Sequence, residues 1–179
     1  GSYYPLLGLD ELASQIVSLR KKFTSYKSFA GKPIDEIFEK SVLKKARILE
    51  VHTLTSGYLK NENNTFTFIP FKNELQVSPI SAFLEYDFNA DGDNEVLVAG
   101  NYFGVSPYQG RFDSFPGALI FNEDKIVLGN KIGLDFNQKA VKKLNIIQVQ
   151  NKSYVLATIN NDHAQVYELT HLKDDYKKL

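Results

Sequence analysis

The chain has 179 residues, of which 43% are hydrophobic, and this suits one domain or a compact domain with a small appendage. Its 21 basic residues balance 21 acidic ones, which argues against a nucleic-acid partner. Cys is absent, which excludes disulfides, thiol nucleophiles and Cys-ligated metals, and no apolar run approaches the roughly 18 residues of a membrane span.

Residues 1–46 are predicted to be a tag remnant followed by helices. Gly1-Ser2 is typical of a protease-cleavage scar, and we expect the chain to be a fragment of a longer protein. Apolar side chains at helical spacing predict a helix over residues 10–23. A second short helix is predicted to begin at Pro33, and a third helical turn follows over residues 41–46.

From residue 47 to residue 179 the apolar pattern takes the two-residue period of strands. Strands are predicted over residues 48–53, 57–60, 65–71, 80–86, 95–100, 117–121, 125–128, 144–149, 154–159 and 164–169. Turns are predicted at Asn63-Asn64, Glu123-Asp124 and Asn151-Lys152. The strand pairs recur in three groups, which is typical of a repeat architecture, so we predict a mainly β fold of antiparallel strands with an N-terminal helical segment.

Oxygen-bearing side chains alternate along residues 87–95, which are Asp-Phe-Asn-Ala-Asp-Gly-Asp-Asn-Glu. Alternate side chains of a coiled loop can point inward together, and Gly92 permits a sharp turn. Residues 73–110 contain six acids and no base, so a divalent cation would relieve their repulsion. We predict one Ca²⁺, with these ligands: Asp87, Asn89, Asp91, the main-chain carbonyl of Asp93, and Glu95.

This loop has two other interpretations. An EF-hand needs flanking helices and a Glu at position 12, but Val98 stands there and both flanks have strand character. An ordinary Asp/Asn/Gly turn without metal remains open, because these residues favour turns for their own reasons.

The nine-residue motif between two predicted strands, followed by Val-Leu-Val-Ala-Gly-Asn, resembles the FG-GAP or VCBS repeat. This family forms calcium-bearing blades of integrin-α-like β-propellers in exported bacterial proteins. The resemblance implies partial propeller blades over residues 47–179, with a calcium loop in a β-hairpin, and the same five metal ligands. Glu95 departs from the family, which more often has Asp there, and leaves monodentate or bidentate ligation open.

A long loop over residues 101–116 carries aromatic side chains with polar groups among them. Such a composition can stack a sugar ring or grip a partner protein. The predicted ligand-contacting residues are Tyr102, Tyr108, Gln109, Arg111 and Asp113. The alternative is a self-packed loop in which Arg111 pairs internally with an acid and the aromatics are buried.

No catalytic motif was found in the sequence, and the three His residues are scattered singly. We therefore predict a non-catalytic, calcium-binding propeller segment of an exported bacterial protein, serving as a scaffold or as a protein- or glycan-binding module. The alternative is part of a polysaccharide-active or other propeller enzyme whose catalytic residues lie largely outside this fragment.

Overall fold

A computed structural model describes residues 1–106, 110–122 and 125–170. The chain divides into two compact units, Gly1–His52 and Thr53–Leu179. The boundary predicted between residues 46 and 47 falls shortly before this division. Within the described ranges, no helix is both long enough and apolar enough to cross a membrane.

The N-terminal unit is a set of short helices around a small apolar core. The helices are α1 Leu9–Gln15, α2 Ser18–Lys22, α3 Tyr26–Phe29, α4 Ile34–Ile37 and α5 Lys40–Leu43. Their core consists of Leu9, Ala13, Leu19, Phe23, Phe29 and Ile37. The helix predicted to begin at Pro33 begins one residue later, at Ile34, with Pro33 as its N-cap.

The single helix predicted over residues 10–23 is wrong, because the chain leaves helical geometry at Ile16. Ile16 and Val17 are 40% and 69% exposed, although both fit the predicted apolar face. The break lets the following turn aim Leu19 and Phe23 into the core, where the Phe23 ring meets the Phe29 ring edge-on at 5.4 Å. Packing around Phe23 has therefore overridden the local helical period.

The second unit is built from antiparallel strands, as predicted. Among the described residues the strands are β1 Gly57–Glu62, β2 Thr65–Pro70, β3 Ile80–Tyr86, β4 Glu95–Gly100, β5 Ala118–Ile120, β6 Ile126–Leu128, β7 Val141–Val149, β8 Lys152–Ile159 and β9 Gln165–Glu168. They form three sheets with the orders β1-β2, β3-β4-β5-β6 and β7-β8-β9. In these ranges the sheets do not close into a barrel or a propeller ring.

The predicted turn chemistry explains two hairpins. Asn63 and Asn64 have φ of 51° and 64°, the left-handed geometry that matches the twist of paired strands. Gln150 and Asn151 make the same kind of turn, one residue earlier than predicted. The predicted turn at Glu123-Asp124 lies outside the described residues.

The strand predicted over residues 48–53 is wrong. Leu49 and Val51 alternate with Glu50 and His52. However, Ile48, Leu49 and Val51 are each more than 70% exposed, and no pairing with this segment occurs among the described strands. An alternating pattern makes a strand only where a neighbour satisfies its N–H and C=O groups.

The main core lies between the four-stranded sheet and the three-stranded sheet, which pack face to face. Side chains from both sheets are buried there, including Leu97, Ala99, Leu119, Val141, Val155 and Ala157. Full burial of each such Leu or Val side chain contributes about 1.5–3 kcal/mol. A hydrogen bond of 2.6 Å from Ser81 Oγ to the Val141 carbonyl also links the two sheets.

Asn101 fastens the chain just after β4. Its side chain is 1% exposed, and its Nδ2 lies 2.9–3.1 Å from the carbonyl oxygens of Phe115, Phe136 and Lys139. Its Oδ1 accepts a hydrogen bond of 3.1 Å from the Phe115 backbone N–H. One amide thus joins both ends of the long loop to the segment that precedes β7.

We expect Asn101→Gly to lower the free energy of unfolding by about 2–4 kcal/mol, because buried carbonyls and one buried N–H lose their partners. Glycine suits the backbone at this position, where φ is 76°, so the change isolates the side chain. Asn151→Gly is the matched control: this residue also has positive φ, at 63°, but is exposed. Urea unfolding followed by circular dichroism measures both, and equal effects would contradict the role of the Asn101 amide.

Candidate metal centre

The predicted calcium loop closes the hairpin of β3 and β4. Tyr86 pairs with Glu95 at the end of the ladder, so residues 87–94 form the connection. Ala90 and Gly92 adopt left-handed backbone, with φ of 59° and 99°. These two positions turn the chain back on itself and leave side chains at alternate positions facing the loop interior.

The oxygens of the first three predicted ligands face the loop's own backbone. Asp87 accepts the N–H groups of Asp91 and Gly92 at 3.2 and 3.1 Å. Asn89 Oδ1 accepts the Asp91 N–H at 2.9 Å, and Asp91 Oδ1 accepts the Asp93 N–H at 2.9 Å. The structure therefore brings these side chains together around one short coil.

Glu95 lies beneath the same loop and is 3% exposed. Its Oε2 accepts the Phe88 N–H at 2.9 Å, and its Oε1 accepts from the Asn89 amide at 2.9 Å. Burial raises the pKa of the Glu95 carboxyl, with further increases from the charges of Asp91 and Asp87, while the Phe88 N–H bond opposes them. Within the described chain, both hydrogen bonds to Glu95 come from neutral groups.

The Asn89 side chain forms hydrogen bonds with two of the acidic side chains, Asp91 and Glu95. Its side chain is buried, at 6% exposure, and its Nδ2 donates to Asp91 Oδ2 at 2.8 Å as well as to Glu95. The amide nitrogen thus supplies hydrogens to two carboxylates that would otherwise repel each other. The Asp93 N–H and then the Asn89 amide lower the pKa of Asp91.

Lys125 is a neighbour of the loop that the sequence did not reveal. The local sequence has no base between residues 73 and 110, but the fold brings Lys125 close enough for its charge to lower the pKa of Asp91. Its Nζ lies 3.9 Å from the centroid of the Phe121 ring. Lys125 approaches the loop because β6 pairs with β5 and β5 pairs with β4. This strand order cannot be read from the local sequence.

The donor set suits a hard cation, since carboxylate, amide and carbonyl oxygens are the ligands that Ca²⁺ takes in proteins. Across the described residues, however, no group of three or more acidic or imidazole side chains is already arranged to hold a metal ion. The residues that would hold Ca²⁺ are Asp87, Asn89, Asp91, the Asp93 carbonyl and Glu95. The ion would supply the positive charge that the buried carboxylate lacks.

The long loop after β4 is described except for residues 107–109, so Tyr108 and Gln109 lie outside the described residues. Tyr102 is 43% exposed, and its backbone forms a two-way bridge with Phe112 at 2.8 and 3.1 Å. Asp113 uses its carbonyl to accept the Gln138 N–H at 2.7 Å. Backbone hydrogen bonds therefore fix the main chain at Tyr102 and at Asp113.

Arg111 lies in a different environment from the one predicted for a self-packed loop. Its guanidinium lies over the Phe103 ring, 5.1 Å from the centroid, and no ion pair to Arg111 occurs among the described residues. Arg111 and Phe103 line a cavity of about 440 Å³ together with Asn160 and Asn161. Tyr102 is not among the residues that line it, although its hydroxyl lies close to Gly104, which does.

Comparison with protein-family models, with curated proteins and with solved structures finds no match for this chain.

Proposed function

We propose that this chain is a calcium-stabilised, propeller-like scaffold segment of an exported bacterial protein. The metal loop fastens the β3–β4 hairpin, and the adjoining loops present a surface for a protein or glycan partner. The export and the bacterial origin rest on the resemblance of residues 87–95 and their flanks to FG-GAP/VCBS repeats.

The observation that carries the proposal is the burial of Glu95 under a loop of inward-facing oxygens. A carboxylate that is 3% exposed and faces two further acids is costly unless a cation compensates it. The neighbouring Lys125 acts on Asp91, and the contacts to Glu95 itself come from the Phe88 N–H and the Asn89 amide. Bound Ca²⁺ would neutralise this group directly.

The sheet packing supports a blade-like role. The β3–β6 sheet packs one face against the β7–β9 sheet, as neighbouring blades of a propeller do. Its opposite face carries a second cluster of buried residues that includes Val98 and Phe115. A sheet with buried side chains on both faces is suited to hold loops in place.

A surface role for the long loop is supported by Arg111. Its guanidinium stacks on Phe103 at 5.1 Å and lies beside a cavity whose lining includes Gln138, Asn160, Asn161 and Asp162. A cation with nearby amides can donate several hydrogen bonds to the hydroxyl or carboxylate oxygens of a glycan or a peptide.

Calcium is expected to raise the melting temperature and EDTA to lower it. At a concentration a hundredfold above Kd, binding to the folded state adds about 2.7 kcal/mol, which corresponds to roughly 5–10 °C for a chain of this size. Mg²⁺ should substitute poorly, because it requires a smaller and more regular octahedron. Scanning calorimetry with each ion measures the shift.

Asp91→Asn should remove most of the calcium-induced shift, and Asp135→Asn is its matched control. Each aspartate accepts a backbone N–H two residues on, at 2.9 Å for Asp91 and 3.0 Å for Asp135, so Asn preserves the local turn in both. The proposed site would be excluded if both variants kept the full shift, or if the wild-type melting temperature responded to neither calcium nor EDTA.

In the absence of calcium, Glu95 should make stability fall as pH rises. Its pKa in the folded chain lies above the ordinary value of 4.5, so the folded state binds more protons between these two values. The contribution of Glu95 is therefore most favourable at acidic pH and is lost as pH rises through the raised pKa. Saturating calcium favours the ionised form and should weaken or reverse this dependence.

Glu95→Gln isolates the titration of Glu95 from that of the other acids. In EDTA, the difference in unfolding free energy between wild type and Glu95→Gln is expected to vary with pH. In calcium, the difference is expected to vary with pH only if calcium binds the wild type and not the variant. Urea unfolding across the acidic range, with EDTA and with calcium, provides the four series. A difference that is independent of pH in both conditions would show that Glu95 does not titrate as proposed.

A further inference from the structure

Residues 40–49, near the end of the N-terminal unit, form a basic segment with no acidic residue. Its bases are Lys40, Lys44, Lys45 and Arg47. The acids Glu39 and Glu50 stand just outside its two ends. Within the part of the chain that the structure describes, none of the four bases forms a salt bridge. The segment therefore concentrates positive charge, although the whole chain is neutral.

The basic segment also exposes apolar side chains to solvent. Val42 is 55% exposed, Ile48 78% and Leu49 76%. Among the described residues, no strand pairs with the segment, and the core of the N-terminal unit does not include it. Exposed apolar side chains that are close in sequence and bordered by charges are typical of a surface that binds a partner or a membrane.

The segment begins as helix α5, and helical turns continue beyond the end of that helix. Lys44 N–H donates to the Lys40 carbonyl at 3.0 Å, and Ala46 N–H donates to the Leu43 carbonyl at 3.1 Å. Residues 47–50 are neither helical nor paired with a strand. The helical turns thus stop three residues before Leu49, and nothing in the covalent sequence, such as Pro or Gly, prevents their extension.

Extension of α5 to Leu49 would gather apolar side chains on one side of a helix. Successive residues of an α-helix are rotated by about 100°, so four apolar residues fall within an arc of about 120°. They are Val42, Leu43, Ala46 and Leu49. Lys45 and Arg47 would lie about 40° beyond the two edges of this arc, where long basic side chains can reach lipid headgroups. Ile48 falls on the polar side.

We propose that the basic segment attaches the protein to the surface of an anionic lipid bilayer, with a helix over residues 40–49 lying in the interface. The four bases meet the headgroups, and the apolar arc enters the acyl boundary. A nucleic acid would match the charge but would leave Val42 and Leu49 in water. The proposal goes beyond the scaffold function and does not depend on calcium in the Asp87–Glu95 loop.

Co-sedimentation with vesicles tests the proposal on the whole chain. EDTA is included, so that calcium cannot bridge acidic side chains to the lipid, and circular dichroism of the free chain checks that it is folded. Binding is expected to vesicles of phosphatidylglycerol and phosphatidylcholine in equal parts, but not to phosphatidylcholine alone. Salt at about 1 M, where the Debye length is about 3 Å, should release much of the bound protein.

Replacement of two lysines tests the charge of the segment. Lys44→Gln combined with Lys45→Gln is expected to weaken binding to the anionic vesicles about 25-fold, at about fivefold for each basic residue near the surface. Lys21→Gln combined with Lys27→Gln is the matched control, because these exposed lysines belong to the same unit and their loss changes the net charge equally. The control should have a much smaller effect.

Replacement of two apolar residues tests insertion into the bilayer. Val42→Ser combined with Leu49→Ser should weaken binding at least about tenfold, because less apolar surface leaves water. Val17→Ser combined with Leu6→Ser is the matched control: the residue types are the same, and both side chains are exposed, at 69% and 92%. Circular dichroism of the wild type should also show added helix with the anionic vesicles only.

The proposal is overturned if the wild type does not bind the anionic vesicles, or if it binds neutral vesicles equally well. It is also overturned if either pair of substitutions in the basic segment has no more effect than its control. In particular, loss of binding with the lysine pair but not with the Val42 and Leu49 pair would indicate a site for polyanions that does not insert into a bilayer.

Discussion

The structure of the β3–β4 hairpin depends on one buried carboxylate. Glu95 begins β4 opposite Tyr86, so its side chain lies on the face that packs against the β7–β9 sheet. There it accepts hydrogen bonds from Phe88 N–H and from the Asn89 amide, and these bonds hold the loop over the sheet edge. Burial raises the pKa of the Glu95 carboxyl, because the charged form is unfavourable in this position. We propose that Ca²⁺ compensates this charge, since the surrounding groups are oxygen ligands.

Strand β4 connects this loop to the rest of the unit. Glu95 stands at its first position, and Asn101 follows its last, where one amide joins the long loop to the segment before β7. The residues between them are buried on both faces of the sheet. A strand that is fixed on both faces can position loops at both of its ends, which is the arrangement expected of a scaffold.

The sequence predicted the elements whose signals are local. The limits of β3 and β4 follow from runs of β-branched and aromatic residues bounded by Pro79 and Gly100, and the turn at Asn63-Asn64 follows from residues that tolerate positive φ. The break at Ile16 and the missing strand at residues 48–53 were not predictable, because both depend on which neighbours are present. At the site, the inward-facing Asp87, Asn89 and Asp91 follow from spacing. The approach of Lys125 requires the sheet order.

The most direct test of the account is a calcium titration followed by amide NMR shifts. The account predicts saturable changes at a stoichiometry of one ion, largest at the backbone amides of Phe88, Asp91, Gly92 and Asp93, whose N–H groups bond the proposed ligands. The amides of β8 should change little. Shifts absent at millimolar calcium, or spread evenly over exposed acids of the chain, would contradict a metal centre in the Asp87–Glu95 loop.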